Sequence, residues 1–134
     1  MRRLATAVVL VVLLSVMAWA VPHRAERSLF RLTNHERTVR GIGTVVWAKN
    51  LHKVARAWSV HLATFHHLAD PERLYCDYQG ANVGVSNTIG AMHNAWMASP
   101  AHRINILDPR FHRLGVGTMR DAAHDLWATE IFCG

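Results

Sequence analysis

Two cysteines and ten histidines are the residue types in this 134-residue chain most suited to chemistry, and their spacing limits what they can do. Cys76 and Cys133 lack the C-x-x-C spacing of a redox motif or a zinc half-site. In an exported protein, an even pair of this kind reads as a structural disulfide that ties the end of the chain to its middle. Closing such a loop contributes ~3–4 kcal/mol in the chain-entropy model. Among the histidines, His66 and His67 are adjacent, with Asp70-Pro71 just beyond. His61 and His66 are five residues apart, which puts them on different helical faces and not in a paired ligand site. His52, His61, His93, His112 and His124 read as surface or helix-face residues without a chemical role.

Export is read from the N-terminus. Arg2 and Arg3 precede an apolar run from Val8 through Ala18, followed by Ala18-Trp19-Ala20 and then the polar residues His23, Arg24, Glu26 and Arg27. This order predicts a signal peptide over residues 1–20, cleaved after Ala20. The alternative is an uncleaved anchor, because Leu4 to Val21 is just long enough to cross ~30 Å of hydrocarbon at ~1.5 Å per residue. Either reading puts the domain outside the cytoplasm, secreted or in the cell envelope, with membrane attachment only if the segment is retained. The rest of the chain has the size of one domain with one core. Its net charge of +6 is carried mostly by arginines scattered from Arg31 to Arg120, which gives nucleic-acid binding no support. Anionic headgroups or wall polymers are the surfaces such a protein would meet.

The elements that position these residues follow from periodicity. Leu29, Leu32, Thr33, Glu36 and Val39 recur at helical spacing between Ser28 and Arg40, and Gly41 and Gly43 then stop the pattern. A second helix runs from an Asn50 cap with Leu51, Val54, Ala55, Trp58, Leu62 and Phe65 on its buried stripe. An irregular segment follows through Cys76 to Gly84, with Gly80 and Gly84 marking a bend or a close approach. A third helix has Asn87 as its cap and Ile89, Met92, His93, Trp96 and Met97 on one face; Ser99-Pro100 ends it and starts a short helix over Ala101–Leu107. Leu114, Val116 and Thr118, and then Trp127, Thr129, Ile131 and Cys133, alternate as two strands of an antiparallel hairpin joined by Asp121–Asp125. Helices followed by a terminal hairpin predict an α+β domain.

Four stretches together resemble the bacterial branch of the CAP superfamily (cysteine-rich secretory, antigen 5, pathogenesis-related 1; SCP-like). Leu32-Thr33-Asn34-His35-Glu36-Arg37 resembles L-x-N-x-E-R, and Val54 to Ser59 resembles A-R-A-x-S. Trp96 to Leu107 resembles W-M-x-S-P-G-H-R-x-N-I-L, and Gly115-Val116-Gly117 with Trp127 to Phe132 resembles G-V-G followed by W-x-T-Q-V-F. The resemblance assigns a CAP/SCP-like domain to residues 28–134. It implies a three-layer α/β/α sandwich with a mostly antiparallel sheet and a cleft where two histidines and acidic residues converge.

Carried over residue by residue, the family's second histidine is His102. Its first falls at Asp70, with His66 and His67 as displaced alternatives, and its G-E-N motif reads Gly80-Ala81-Asn82, so the carboxylate is absent. His66, Asp70, His102, Ala81, Asn82 and Glu130 are the expected cleft residues. Glu130 stands where the family generally has glutamine, either as a substitute carboxylate or as an ordinary strand residue. Two imidazoles and a carboxylate suit zinc, but with alanine at position 81, His66 and His102 make at most a weak divalent-metal site, and no resident cofactor is expected. The resemblance implies a non-catalytic binding module with a degenerate His/acid cleft, with a lipid or cell-envelope component as partner. Trp47, Trp58, Trp96 and Trp127 are either groove walls or core. The alternative is a metal-dependent or serine-type hydrolase using His66 and His102. Ser59, Ser86 and Ser99 are its nearest nucleophiles, and none lies in a G-x-S-x-G elbow.

Overall fold

The computed structural model describes residues 24–134, so the predicted leader or anchor lies outside the described residues. The elements are α1 (Arg24–Thr38), β1 (Val46–Trp47), α2 (Lys49–Phe65), β2 (Gln79–Ser86), α3 (Ile89–Ala98), α4 (Pro100–Leu107), β3 (Arg113–Arg120) and β4 (Leu126–Cys133). The sheet order is β1-β3-β4-β2; β4 pairs antiparallel with both β3 and β2, and β1 pairs parallel with β3. The predicted hairpin is β3–β4. The segment expected to be irregular contains a full strand, β2, which joins β4 across all eight of its residues. Its glycines and small side chains hid the alternation that would have marked it.

Helix α2 covers one face of the sheet, and α1, α3 and α4 cover the other. Alternation along the strands divides the core accordingly. Leu114, Val116, Ala128 and Phe132 pack with Leu29, Met92, Trp96 and Ile106 on the α1 side, while Ile131 packs with Leu51 and Ala55 under α2. Trp127 and Val83 meet Leu62 and Ala63 farther along the same helix. Gly115 and Gly117 let α2 lie directly on the sheet. A Cβ at either position would stand 2.2 or 2.1 Å from the backbone carbons of Leu51 or Ala55, so no other residue fits without moving the helix. The α2 stripe holds except at its end, where Phe65 is 65% exposed and stacks on His61.

Strand β1 is only two residues long, and side chains take over beside β3 where it stops. His52 Nδ1 donates to the Val116 carbonyl at 2.7 Å, and the Thr118 amide donates to Glu26 Oε1 at 3.2 Å. Glu26 also accepts from Arg56 Nε at 3.1 Å, which locks α1 to α2. These contacts satisfy strand groups that would otherwise be buried without partners. They also explain why α1 includes residues ahead of the expected Ser28: Glu26 is wholly buried and belongs to the helix. The caps differ from expectation as well. The N-cap of α2 is Ala48 without a side-chain bond, and the cap of α3 is Thr88, whose hydroxyl accepts from the Ala91 amide. Cys76 and Cys133 are joined as a disulfide that fastens the loop before β2 to the last strand residue.

Candidate functional site

Beneath α4 lies a buried polar knot around Glu130, whose side chain is fully enclosed. Register places Glu130 on β4 opposite Asn82 on β2, both on the face covered by α1 and α4. Thr33 Oγ1 donates to Glu130 Oε1 at 2.7 Å, and Asn82 Nδ2 donates to Oε2 at 3.3 Å. The same Asn82 amide donates to the His102 carbonyl at 3.2 Å, while its oxygen accepts from Asn105 Nδ2 at 2.9 Å. Asn105 also donates to the Ala81 carbonyl at 2.9 Å. No cation faces the carboxyl among the groups that set its titration, and burial pushes its pKa up to about 7 against the pull of Thr33 and Asn82. Of the expected cleft residues, the structure brings together Asn82, Glu130 and the backbone of His102. Thr33 and Asn105 were missed as partners, although Thr33 is a polar residue on a helical stripe and Asn105 sits inside the Trp96–Leu107 motif.

The imidazoles are dispersed. His102 Nδ1 lies 2.9 Å from Ser99 Oγ, and its ring stacks against Trp96, which packs on the α1 side of the sheet. His66 caps α2 in the left-handed conformation (φ 49°) and meets Trp127 edge-on, on the α2 side. Its Nδ1 is 3.7 Å from Asp121 Oδ2. Asp70 and His67 are exposed, and Ala81 pairs with Ile131 on the α2 side of β2. Among the described residues, no three His, Cys, Asp or Glu side chains are grouped so as to hold a metal ion. The donor set therefore does not fit a three-ligand divalent site.

The serine candidates fare differently from one another. Ser59 is fully buried and donates to the Gly117 carbonyl at 3.0 Å, so its hydroxyl fastens α2 to the sheet. Ser99 has an imidazole beside it, but no carboxylate among the described residues pairs with His102 to orient that ring. A nucleophile–base–orienter set is thus incomplete. Two histidines read as surface or helix-face residues, His52 and His93, are buried on the inner faces of their helices. His93 is pushed toward its neutral form by burial, against the attraction of Glu36 with Nε2 3.7 Å from Oε1.

An open groove of about 550 Å³ runs along α4, lined by Pro100, Ile104, Leu107 and Pro109 with Arg103 and Arg110 at its rim. At its end, Asp108 accepts from Arg110 Nη2 at 2.8 Å and from the Tyr78 hydroxyl at 2.6 Å. The Arg110 hydrogen bond holds this carboxyl far below the usual carboxylate range, outweighing desolvation. Behind it, the buried Arg37 guanidinium donates to the carbonyls of Gly43, Ile106, Asp108 and Phe111 at 2.7–3.0 Å. The expected groove walls are split: Trp96 and Trp127 are core, while Trp47 and Trp58 are half-buried.

The profile of the cysteine-rich secretory protein family (CAP) matches residues 30–133. No curated protein is matched by the sequence. Among solved structures, an extracellular protein containing an SCP domain from Bacillus anthracis superposes with TM-score 0.72 at 20% identity, over 81% of this chain and 39% of that one. An outer surface protein from Borrelia burgdorferi gives 0.75 at 12% identity, over 84% of this chain and 94% of that one. A cysteine-rich secretory protein from Staphylococcus aureus gives 0.67 at 24% identity, over 81% and 38%. The chain thus spans about two fifths of the Bacillus and Staphylococcus proteins, and at these identities the likeness establishes the α+β sandwich.

Proposed function

The chain belongs to the cysteine-rich secretory protein (CAP) family, and from that premise we propose that it is an exported, non-catalytic binding module of the cell envelope or extracellular space. The observation that carries this reading is the separation of His66 and His102 onto different faces of the sheet, with Ala81 in place of the family's carboxylate and, among the described residues, no three-ligand group around either ring. Ser59, Asn82 and Asn105 are engaged in structural bonds, and no oriented nucleophile–base–acid set is found among the described residues. Export is supported by the sequence of residues 1–20, by the disulfide, and by the extracellular description of the Bacillus relative.

The proposed ligand is an amphipathic envelope component. The α4 groove offers it an apolar floor of Ile104 and Leu107, with Ile104 64% exposed, and a cationic rim at Arg103. A fluorescent fatty-acid probe titrated into the oxidised protein tests this. We expect saturable binding that survives His102→Ala and is lost in Leu107→Trp, which fills the groove. Turnover of ester substrates abolished by His102→Ala, with no probe binding, would replace this reading with a hydrolase.

A further inference from the structure

One end of the domain gathers the ends of several elements and an unpartnered apolar surface. The N-terminus of α1 is there, because Glu26 bonds the Thr118 amide. The end of α2 is there, because His66 meets Trp127 and Asp121. Register puts Val85, Trp127 and Met119 in one row across β2, β4 and β3. Around that row, Phe65 is 65% exposed, Leu68 45%, Met119 40% and Val85 39%. Phe65 continues an aromatic stack along α2 through His61 to Trp58. Exposed apolar residues gathered at one end of a domain mark a contact surface.

The chain that precedes α1 identifies the occupant. The apolar run read as a leader or anchor ends at Val21, and two residues of sequence lie between it and Arg24, the first described residue of α1. A spacer this short spans about 10 Å even when fully extended. Wherever the run is held in a bilayer, the end of the domain carrying the α1 N-terminus is therefore within that distance of the headgroups. Arg24 and Arg120 are exposed at this end, set against the half-buried Asp121 and Asp125 of the β3–β4 turn, and with the protein basic overall this favours an anionic surface.

We propose that, in the chain retaining its first residues, the domain rests on an anionic lipid bilayer with Phe65, Leu68, Val85 and Met119 in contact with the headgroup region. The α4 groove plays no part in this contact. Its test uses the full chain, oxidised and reconstituted into vesicles of phosphatidylcholine and phosphatidylglycerol. Variants with one free cysteine added beside the intact Cys76–Cys133 disulfide, Phe65→Cys, Met119→Cys and Val46→Cys, carry an environment-sensitive fluorophore. Val46 is the control, since it is 60% exposed and pairs with Arg113 at the far end of β3. We expect lipid-borne quenchers to act several-fold more strongly at positions 65 and 119 than at 46. Adding Phe65→Asp together with Leu68→Asp should reduce quenching at 119 while circular dichroism stays unchanged. Equal quenching at all three sites would overturn the proposal. So would positions 65 and 119 shielded from both lipid-borne and aqueous quenchers, which would mean that residues 1–23 or a second copy cover the surface.

Discussion

The carboxyls of Asp108 and Glu130 are both withdrawn from water, Asp108 to 8% exposure and Glu130 to zero, yet they are held in opposite ways. Asp108 has a bidentate guanidinium from Arg110 and the Tyr78 hydroxyl, and stays ionised far into acid. Glu130 has only neutral donors, one hydroxyl and one amide, and burial pushes its pKa up to about 7. A buried carboxylate is thus kept charged by a cation within hydrogen-bond reach, and burial alone drives it toward the acid form. The glutamate that looked like a replacement ligand is in a setting that favours its neutral state, where it would resemble the glutamine the family generally has.

The largest expected effect comes from breaking the charged end. Arg37→Met leaves the carbonyls of Gly43, Ile106, Asp108 and Phe111 without their shared donor. A loss of about 4 kcal/mol is expected in urea unfolding. Glu130→Gln sharpens the comparison next. Because the folded pKa of Glu130 lies above its ordinary value, the fold binds a proton that the unfolded chain releases. Its contribution is full below the unfolded pKa and is lost as pH rises through about 7. Glu130→Gln should therefore stabilise the protein at pH ~8 by on the order of 2–3 kcal/mol and bring no gain at pH ~4. Thermal melts across that range check the slope.

Asp108→Asn tests the opposite sign. A depressed carboxyl stabilises above its ordinary pKa and loses that contribution as pH falls through the folded value. The variant should cost about 1–2 kcal/mol at neutral pH, with the difference shrinking in strong acid. The smallest effect concerns the end of α2. His66 holds a left-handed conformation at φ 49°, so His66→Gly should gain about 0.5–1 kcal/mol by denaturant titration.

Most of the fold was legible because the residues that recur in the four motifs are the ones that build it. Asn34 imitates a strand partner, bonding both the Val45 amide and its carbonyl, and Arg37 clasps four carbonyls. Gly115 and Gly117 admit α2, and Asn105 ties α4 to β2. Strand β2 escaped because Gly80, Ala81 and Gly84 give no apolar alternation, and its pairing with β4 crosses the 39 residues of chain between Ser86 and Leu126. The site was legible only in part. Spacing and resemblance pointed to Asn82, His102 and Glu130; Asn82 bonds Glu130 and the His102 carbonyl, while the His102 imidazole turns to Ser99 and Trp96. They could not show that His66 would lie on the other face, because that depends on α2 ending in a left-handed cap at His66 against Trp127. Nor could they show that Glu130 would be sealed beneath Thr33, a contact between residues 97 apart in sequence.

The measurement that tests the central claim most directly is zinc titration by calorimetry of the oxidised protein, run beside His102→Ala and Ala81→Glu. A cleft without a metal-ligating set predicts no binding in the unmodified protein and in His102→Ala, with any binding confined to the variant that restores a carboxylate. Micromolar or tighter zinc binding by the unmodified protein, abolished in His102→Ala, would contradict the account and make this a metal-dependent site.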